Sequence, residues 1–149
     1  MNIKTLIDEK YNEPELHVCN NEINDEIKGI VSELHEIFDR KLTGVDEKGN
    51  KHQLHPGEII SAYAEGQKVM VRSEEGCFAV QKKLYELETE LGERNFVRIS
   101  KSEIVNIRKI KNMDLSITGT IRLLMKNGYE TYVSRRNVSK IKEKLLEGR

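Results

Sequence analysis

Apolar residues fall at Ile23, Ile27, Ile30, Val31, Leu34, Ile37 and Phe38, a stripe with the 3.6-residue period of an amphipathic helix. Glu22, Asp25, Glu26, Glu33 and Glu36 lie mostly on the other face, and the early acids suit the positive end of the helix dipole. Asn20 or Asn21 is placed to cap the start. Before the helix, residues 2–7 and 15–19 read as short extended segments joined through Asn12, Glu13 and Pro14. One helix and two short strands cannot bury such a stripe, so it must dock on the following domain or on a partner. Residues 41–57 read as a loop, punctuated by Gly44, Asp46, Gly49, Asn50, Pro56 and Gly57.

After residue 57 the pattern changes to short strands. Ile59, Ile60 and Tyr63 lead to a turn at Glu65-Gly66, Val69 and Val71 alternate with Met70 and Arg72, and Glu74-Glu75-Gly76 turns the chain into residues 77–81. A short helix follows, with Leu84, Leu87 and Leu91 on one side and Gly92 as its stop. Phe96, Val97 and Ile99 begin another strand, and residues 115–117 and 121–125 flank Thr118-Gly119-Thr120. Asn127-Gly128, between residues 121–125 and 129–133, is the strongest hairpin signal, on the expectation that both turn positions take positive φ. A last helix carries Val138, Ile141 and Leu145. The expected architecture is mainly β with small helices (α+β) over residues 51–149, preceded by a short β-β-α arm over residues 1–50.

Composition changes this picture in two ways. With no Trp and only three Phe, the core must be built from Ile, Leu and Val. The formal net charge of zero conceals a division: residues 1–93 hold 11 Lys and Arg against 20 Asp and Glu, and residues 94–149 hold 14 against 5. Either the C-terminal part meets a polyanion, or the two halves attract each other. Charged residues interrupt every apolar run long enough to approach a membrane span, and the start MNIKTLIDEK lacks the apolar region of a signal peptide. Cys19 and Cys77 match no metal or redox spacing, so the expectation is a cytoplasmic protein with two reduced thiols and no cofactor.

Candidate catalytic chemistry is sparse. His52 and His55 have an HxxH spacing, but in a loop without a nearby thiol or a convincing acidic third ligand. His17 and Cys19 would share one face of an extended segment. There is no phosphate-cradling glycine loop, no nucleophile elbow and no evident triad. The chain is expected to be neither an enzyme nor a metal binder.

Residues 96–107, FVRISKSEIVNI, resemble the signature of the LytTR DNA-binding domain: an aromatic, Arg, a polar residue, a basic residue, Ser, then an aliphatic pair and Asn. The order continues with Lys109-Ile110, the Asn127-Gly128 hairpin, and Val133-Ser134-Arg135-Arg136 opening the last helix. Upstream, Glu58-Ile59-Ile60, Glu65-Gly66 and the Leu84/Leu87 helix stand where the family's first hairpin and small helix stand, so the likeness spans roughly residues 52–146. It implies stacked small antiparallel sheets that bind double-stranded DNA through loops, at promoters, often as two subunits on paired direct repeats. It also implies contact positions: Gln67 and Lys68 in the turn after Tyr63, Lys101 in Ser100-Lys101-Ser102, and Arg136 with Arg135 beside it. Many members have His where this chain has Ser100, and an aromatic where it has Glu103. The latter carboxylate would repel phosphate unless Lys101 or Arg108 pairs with it. No receiver domain is evident in the first 50 residues. Some relatives without one are encoded beside a small membrane protein that holds them inactive, which makes such a protein a candidate partner.

The residues support this on their own terms, since DNA backbone affinity demands Lys or Arg in register. Arg98, Lys101, Arg108, Lys109 and Lys111 lie on a strand and the loop after it; Arg135, Arg136, Lys140, Lys142 and Lys144 lie at and along the last helix. Arg136, Lys101 and Gln67 suit base reading, and Ser102, Asn106, Ser134 and Asn137 supply neutral donors or caps. Ser134 serves equally as a plain N-cap, Asn106 reads better as a turn residue, and the three lysines of the helix read as a solvated face. The expectation is a sequence-specific DNA-binding transcription regulator that acts at promoters as a homodimer. The alternative is a non-catalytic adaptor that binds acidic partners through the basic half. RNA binding would want an exposed aromatic pair, which the chain lacks.

Overall fold

The computed structural model describes residues 1–38, 41–92, 95–115 and 119–147. The expected segment over residues 115–117 and the turn at residue 118 lie outside them except for Leu115, as does the side chain of Phe38 at the end of the helical stripe. The chain falls into two compact units, Met1–Asp39 and Arg40–Arg149.

In the first unit the amphipathic stripe forms α1 (Asp25–Phe38). Its cap is Asn24, not Asn20 or Asn21: Asn24 Oδ1 accepts a hydrogen bond from Ile27 N at 3.0 Å, the usual span from cap to third helical residue. Residues 2–7 and 15–19 are not paired into strands, which need a neighbouring strand to complete a ladder, and Ile3, Leu6, Ile7 and Leu16 stay exposed.

Among its described residues the second unit contains ten strands. Seven form one antiparallel sheet in the order β2 (Lys51–Leu54), β1 (Leu42–Val45), β5 (Gly76–Val80), β4 (Lys68–Ser73), β3 (Ile59–Glu65), β7 (Glu103–Asn106), β6 (Phe96–Ser100). Three form another in the order β10 (Glu130–Val133), β9 (Ile121–Met125), β8 (Ile110–Asp114). The large sheet is the middle layer. On one face α2 (Leu84–Leu91) buries Leu84, Leu87 and Leu91 with Ile59, Ala62, Val71, Phe78 and Ile104. On the other, Ile60, Val97, Ile99 and Val105 meet Ile121, Leu123, Met125 and Val133 of the small sheet and Ile141 of α3 (Val138–Glu147). The period of two explains the division: neighbours Ile104 and Val105 enter opposite cores.

Residues 41–57 are not a plain loop. They form the β1–β2 hairpin, and β1 pairs with β5 at Val45 and Ala79, so residues assigned above to the arm join the large sheet. Gly44 sits mid-strand because a Cβ there would come within 2.6 Å of Phe78 Cβ. Asp46 organises the turn: its Oδ1 accepts from Lys48 N and Asn50 N, both at 2.9 Å, and its Oδ2 lies 2.8 Å from His52 Nε2. The bonds from His52 and Asn50 hold its carboxyl down at about 2. His52 thus pairs with Asp46 and lies against the Phe78 ring, 4.8 Å away.

The β9–β10 hairpin is where Asn127-Gly128 places it, but with a different turn. Only Gly128 has positive φ (87°), and Asn127 does not. Gly128 N donates to Met125 O at 2.9 Å and Met125 N to Tyr129 O at 2.8 Å, the pattern of a three-residue loop closed by a glycine bulge.

Candidate nucleic-acid interface

Backbone hydrogen bonds bring three turns to one end of the large sheet. The β3–β4 turn is a two-residue connection in which Gly66 takes φ 61° and leaves Gln67 and Lys68 exposed. Ala64 N donates to Ser102 O at 2.8 Å, which fastens β3 to the β6–β7 turn carrying exposed Lys101 and Ser102. Ser134 N donates to Ile99 O at 2.8 Å and fastens the 3-10 turn Arg135–Asn137 on the other side. Lys101 therefore stands between Gln67 and Lys68 on one flank and Arg135 and Arg136 on the other. Among the described residues, the side chains of Lys101 and Arg136 make no ion pair or hydrogen bond, so their charges face solvent unpaired.

The other expected site residues are placed differently. Arg98 turns its guanidinium inward: Nε donates to Ser100 O at 2.7 Å, NH2 to Lys101 O, and NH1 to Glu88 Oε2 of α2 at 3.0 Å. It holds the β6–β7 turn from beneath, where Ser100 Oγ also accepts from Ser102 N at 3.2 Å. Arg108 is exposed at the opposite end of β7, about 10 Å or more from the Lys101 turn by the rise of a strand. Lys109 beside it pairs with Glu74 at 2.6 Å, which holds that carboxyl below its ordinary range. Arg135 lies across Gly119, with its Nε 3.0 Å from where a Cβ would sit, and with Lys142, Thr120 and Val138 lines a shallow groove of about 370 Å³. Asn106 is buried and structural: its Nδ2 donates to Ile59 O at 2.8 Å and its Oδ1 accepts from Arg108 N at 3.0 Å. Asn137 Nδ2 bonds Ser134 Oγ at 2.6 Å, so that pair shapes the corner itself.

A family model described as the LytTr DNA-binding domain matches residues 49–146. The chain belongs to the LytTR DNA-binding domain family. An uncharacterised HTH-type transcriptional regulator of Staphylococcus aureus (strain bovine RF122 / ET3-1) is 31% identical over 146 residues, covering 97% of this chain and 98% of the relative. A protein of the same description from strain NCTC 8325 / PS 47 is 30% identical with the same coverage. Among solved structures, the LytTr DNA-binding domain of a Bacillus cereus protein named as a methyl-accepting/DNA response regulator superposes with a TM-score of 0.66 at 27% identity, covering 70% of this chain and 95% of that one. In this LytTR chain no two α-helices are consecutive among the described elements.

The LytTR domain differs from the sequence-based expectation at Glu103. That carboxylate is buried and pairs with neither Lys101 nor Arg108. As the first residue of β7 it points with Val105 between the two sheets, where it is 8% exposed. Its Oε2 accepts from Thr131 Oγ1 at 2.6 Å, and Oε1 lies 3.8 Å from Arg72 NH1. Arg72 in turn donates to Ser61 Oγ at 2.7 Å, with its guanidinium 4.5 Å from the Tyr63 ring centre and 3.6 Å from that of Tyr129. Burial pushes the Tyr63 phenol up. Arg72 and Thr131 were not singled out from the sequence, because polar residues alternating with apolar ones in a strand read as a solvated face. Among the described residues no helix is long and apolar enough to cross a membrane, and no cluster of His, Cys, Asp and Glu has the arrangement of a metal site.

Proposed function

We propose that this LytTR protein is a sequence-specific, non-catalytic transcription regulator that binds double-stranded DNA at promoters in the cytoplasm. Lys101 and Arg136 read bases, Gln67, Lys68 and Ser102 flank them, and Arg135 with Lys142 holds backbone phosphate. The observation that carries this reading is the convergence of three separate turns, each fixed by a backbone bond, on unpaired cations at one end of the sheet. Arg98 serves by shaping the Lys101 turn, and Arg108 lies outside this face. Binding is expected to be strongly salt-dependent. If each subunit neutralises about four phosphates, the log–log slope of affinity against salt is roughly −3.6 per subunit. A fluorescence titration on a randomised duplex that gives the same affinity at low and moderate salt would refute it.

We extend the proposal to a homodimer on paired direct repeats, joined through α1 in the arm. Ile27, Ile30, Leu34 and Ile37 follow the three-four spacing of a helix–helix seam, and Ile37 is 55% exposed. With 12 acidic against 6 basic residues in positions 1–50, this segment would be repelled by DNA. Ile30→Glu in the full chain is expected to sediment as a monomer and to bind two half-sites without cooperativity. An unchanged oligomeric state would assign α1 another role. A small membrane protein that inhibits the regulator remains a proposed partner, tested by co-purification from membranes.

A further inference from the structure

We propose that Glu103 is a positioning residue for DNA reading, setting the Lys101–Ser102 turn against the Arg135–Arg136 corner through its hydrogen bond to Thr131. The inference rests on the DNA-reading face proposed above and assigns its geometry to a group that cannot touch DNA.

The two reading segments sit on different sheets: Lys101 follows β6 of the large sheet, and Arg136 follows β10 of the small one. Their relative placement depends on what ties β10 to the strands beside the Lys101 turn. Two bonds do this. Before the turn, Ile99 O accepts from Ser134 N at 2.8 Å. After it, Glu103 Oε2 accepts from Thr131 Oγ1 at 2.6 Å. The turn is thus held at both of its feet by the strand that delivers Arg136.

A carboxylate is a costly way to join two apolar layers. Burying it takes it out of water, and hydrophobic replacement of buried ion pairs is often neutral or stabilising. Here the cost is visible, because Glu103 Oε1 is buried without a hydrogen-bond partner among the described residues. Stability alone therefore does not account for it. A directional bond does what apolar packing cannot: it fixes register between the sheets. Arg72 reinforces the same joint, since its guanidinium faces Glu103 while touching Tyr63 of the large sheet and Tyr129 beside β10. Side chains that read base edges must be held to within about 0.5 Å, so a looser joint costs discrimination before it costs attraction.

The test uses the full chain. Wild-type protein selects a preferred duplex from a randomised pool, and its affinity is compared with that for a scrambled duplex of equal length. Thr131→Val keeps the side-chain shape and removes the donor; Glu103→Ala removes the acceptor; Glu103→Gln retains an oxygen for Thr131. Thr131→Val and Glu103→Ala are expected to bind the scrambled duplex like wild type while the preference falls about tenfold. Glu103→Gln is expected to keep most of it. Should Glu103→Ala not fold, Thr131→Val carries the comparison. If Thr131→Val melts at a lower temperature but retains the full preference, Glu103 is structural only and the proposal is overturned. If the wild-type protein selects no sequence, the reading face itself fails, and that result is distinct from the first.

Discussion

Arg136→Ala is expected to lose about 1–3 kcal/mol on the preferred duplex and far less on a scrambled one. The reason lies in where the side chain stands. Its 3-10 turn is anchored by Ser134 N to Ile99 O and by Asn137 Nδ2 to Ser134 Oγ, so the backbone cannot shift to compensate. Its guanidinium has no partner among the described residues and presents a planar fork of donors suited to the two acceptors of guanine. Lys142, by contrast, lines the groove beside Arg135, where under the proposed function its point charge would meet phosphate of any sequence. Lys142→Ala should weaken both duplexes by similar, smaller amounts. Anisotropy titrations of both variants on both DNAs decide the matter. Equal losses throughout would reduce Arg136 to a phosphate anchor.

Ile141→Ala is expected to lower unfolding free energy by about 2–5 kcal/mol, the range for emptying a filled core position. Ile141 is fully buried between α3 and the inner faces of both sheets, with Val97, Ile99 and Val133 in the same cluster. Because α3 follows directly on Arg135 and Arg136, the loss should also blunt sequence preference. Leu54→Ala in the opposite core should cost similar stability and leave preference intact, since β2 is the edge strand of the large sheet farthest from β6 and β7. Urea unfolding monitored by circular dichroism, followed by DNA titration at a temperature where both variants are folded, separates the effects. An unfolding midpoint for Ile141→Ala equal to that of the parent would contradict the core assignment.

Much of this architecture was legible from residue patterns, and the exceptions have specific causes. Leu84, Leu87, Leu91 and Gly92 specify α2 to the residue, because helical spacing and a glycine stop are local signals. The β9–β10 hairpin was equally clear, yet its turn type was not: Asn-Gly serves a two-residue turn and a bulged three-residue loop alike, and strand register decides between them. From sequence alone the β1–β2 hairpin reads as loop, because Gly44 and Gly49 look like punctuation. Gly44 instead answers to Phe78, 34 residues away, a demand made only by tertiary packing. Of the expected site residues, Lys101, Ser102, Gln67, Lys68, Arg135 and Arg136 meet at one end of the fold. Basic character alone does not tell them from Arg98, whose guanidinium makes internal bonds, or from Arg108, which follows β7 at the opposite end from Lys101. The partnership of Glu103 with Thr131 was hidden for the same reason, since it joins strands that only the stacking of two sheets brings together.

The bonds that fix the three turns also govern the thermodynamics of recognition. Because Ala64–Ser102 and Ile99–Ser134 are already formed in the free protein, DNA bound at the proposed face would meet turns whose backbone is already fixed at those bonds. The entropy lost on association falls mainly on long side chains such as Lys101 and Arg136, each about 0.5–1.5 kcal/mol, rather than on a folding segment. Complex formation should then carry only the modest heat-capacity change of surface desolvation, without the larger signature of coupled folding.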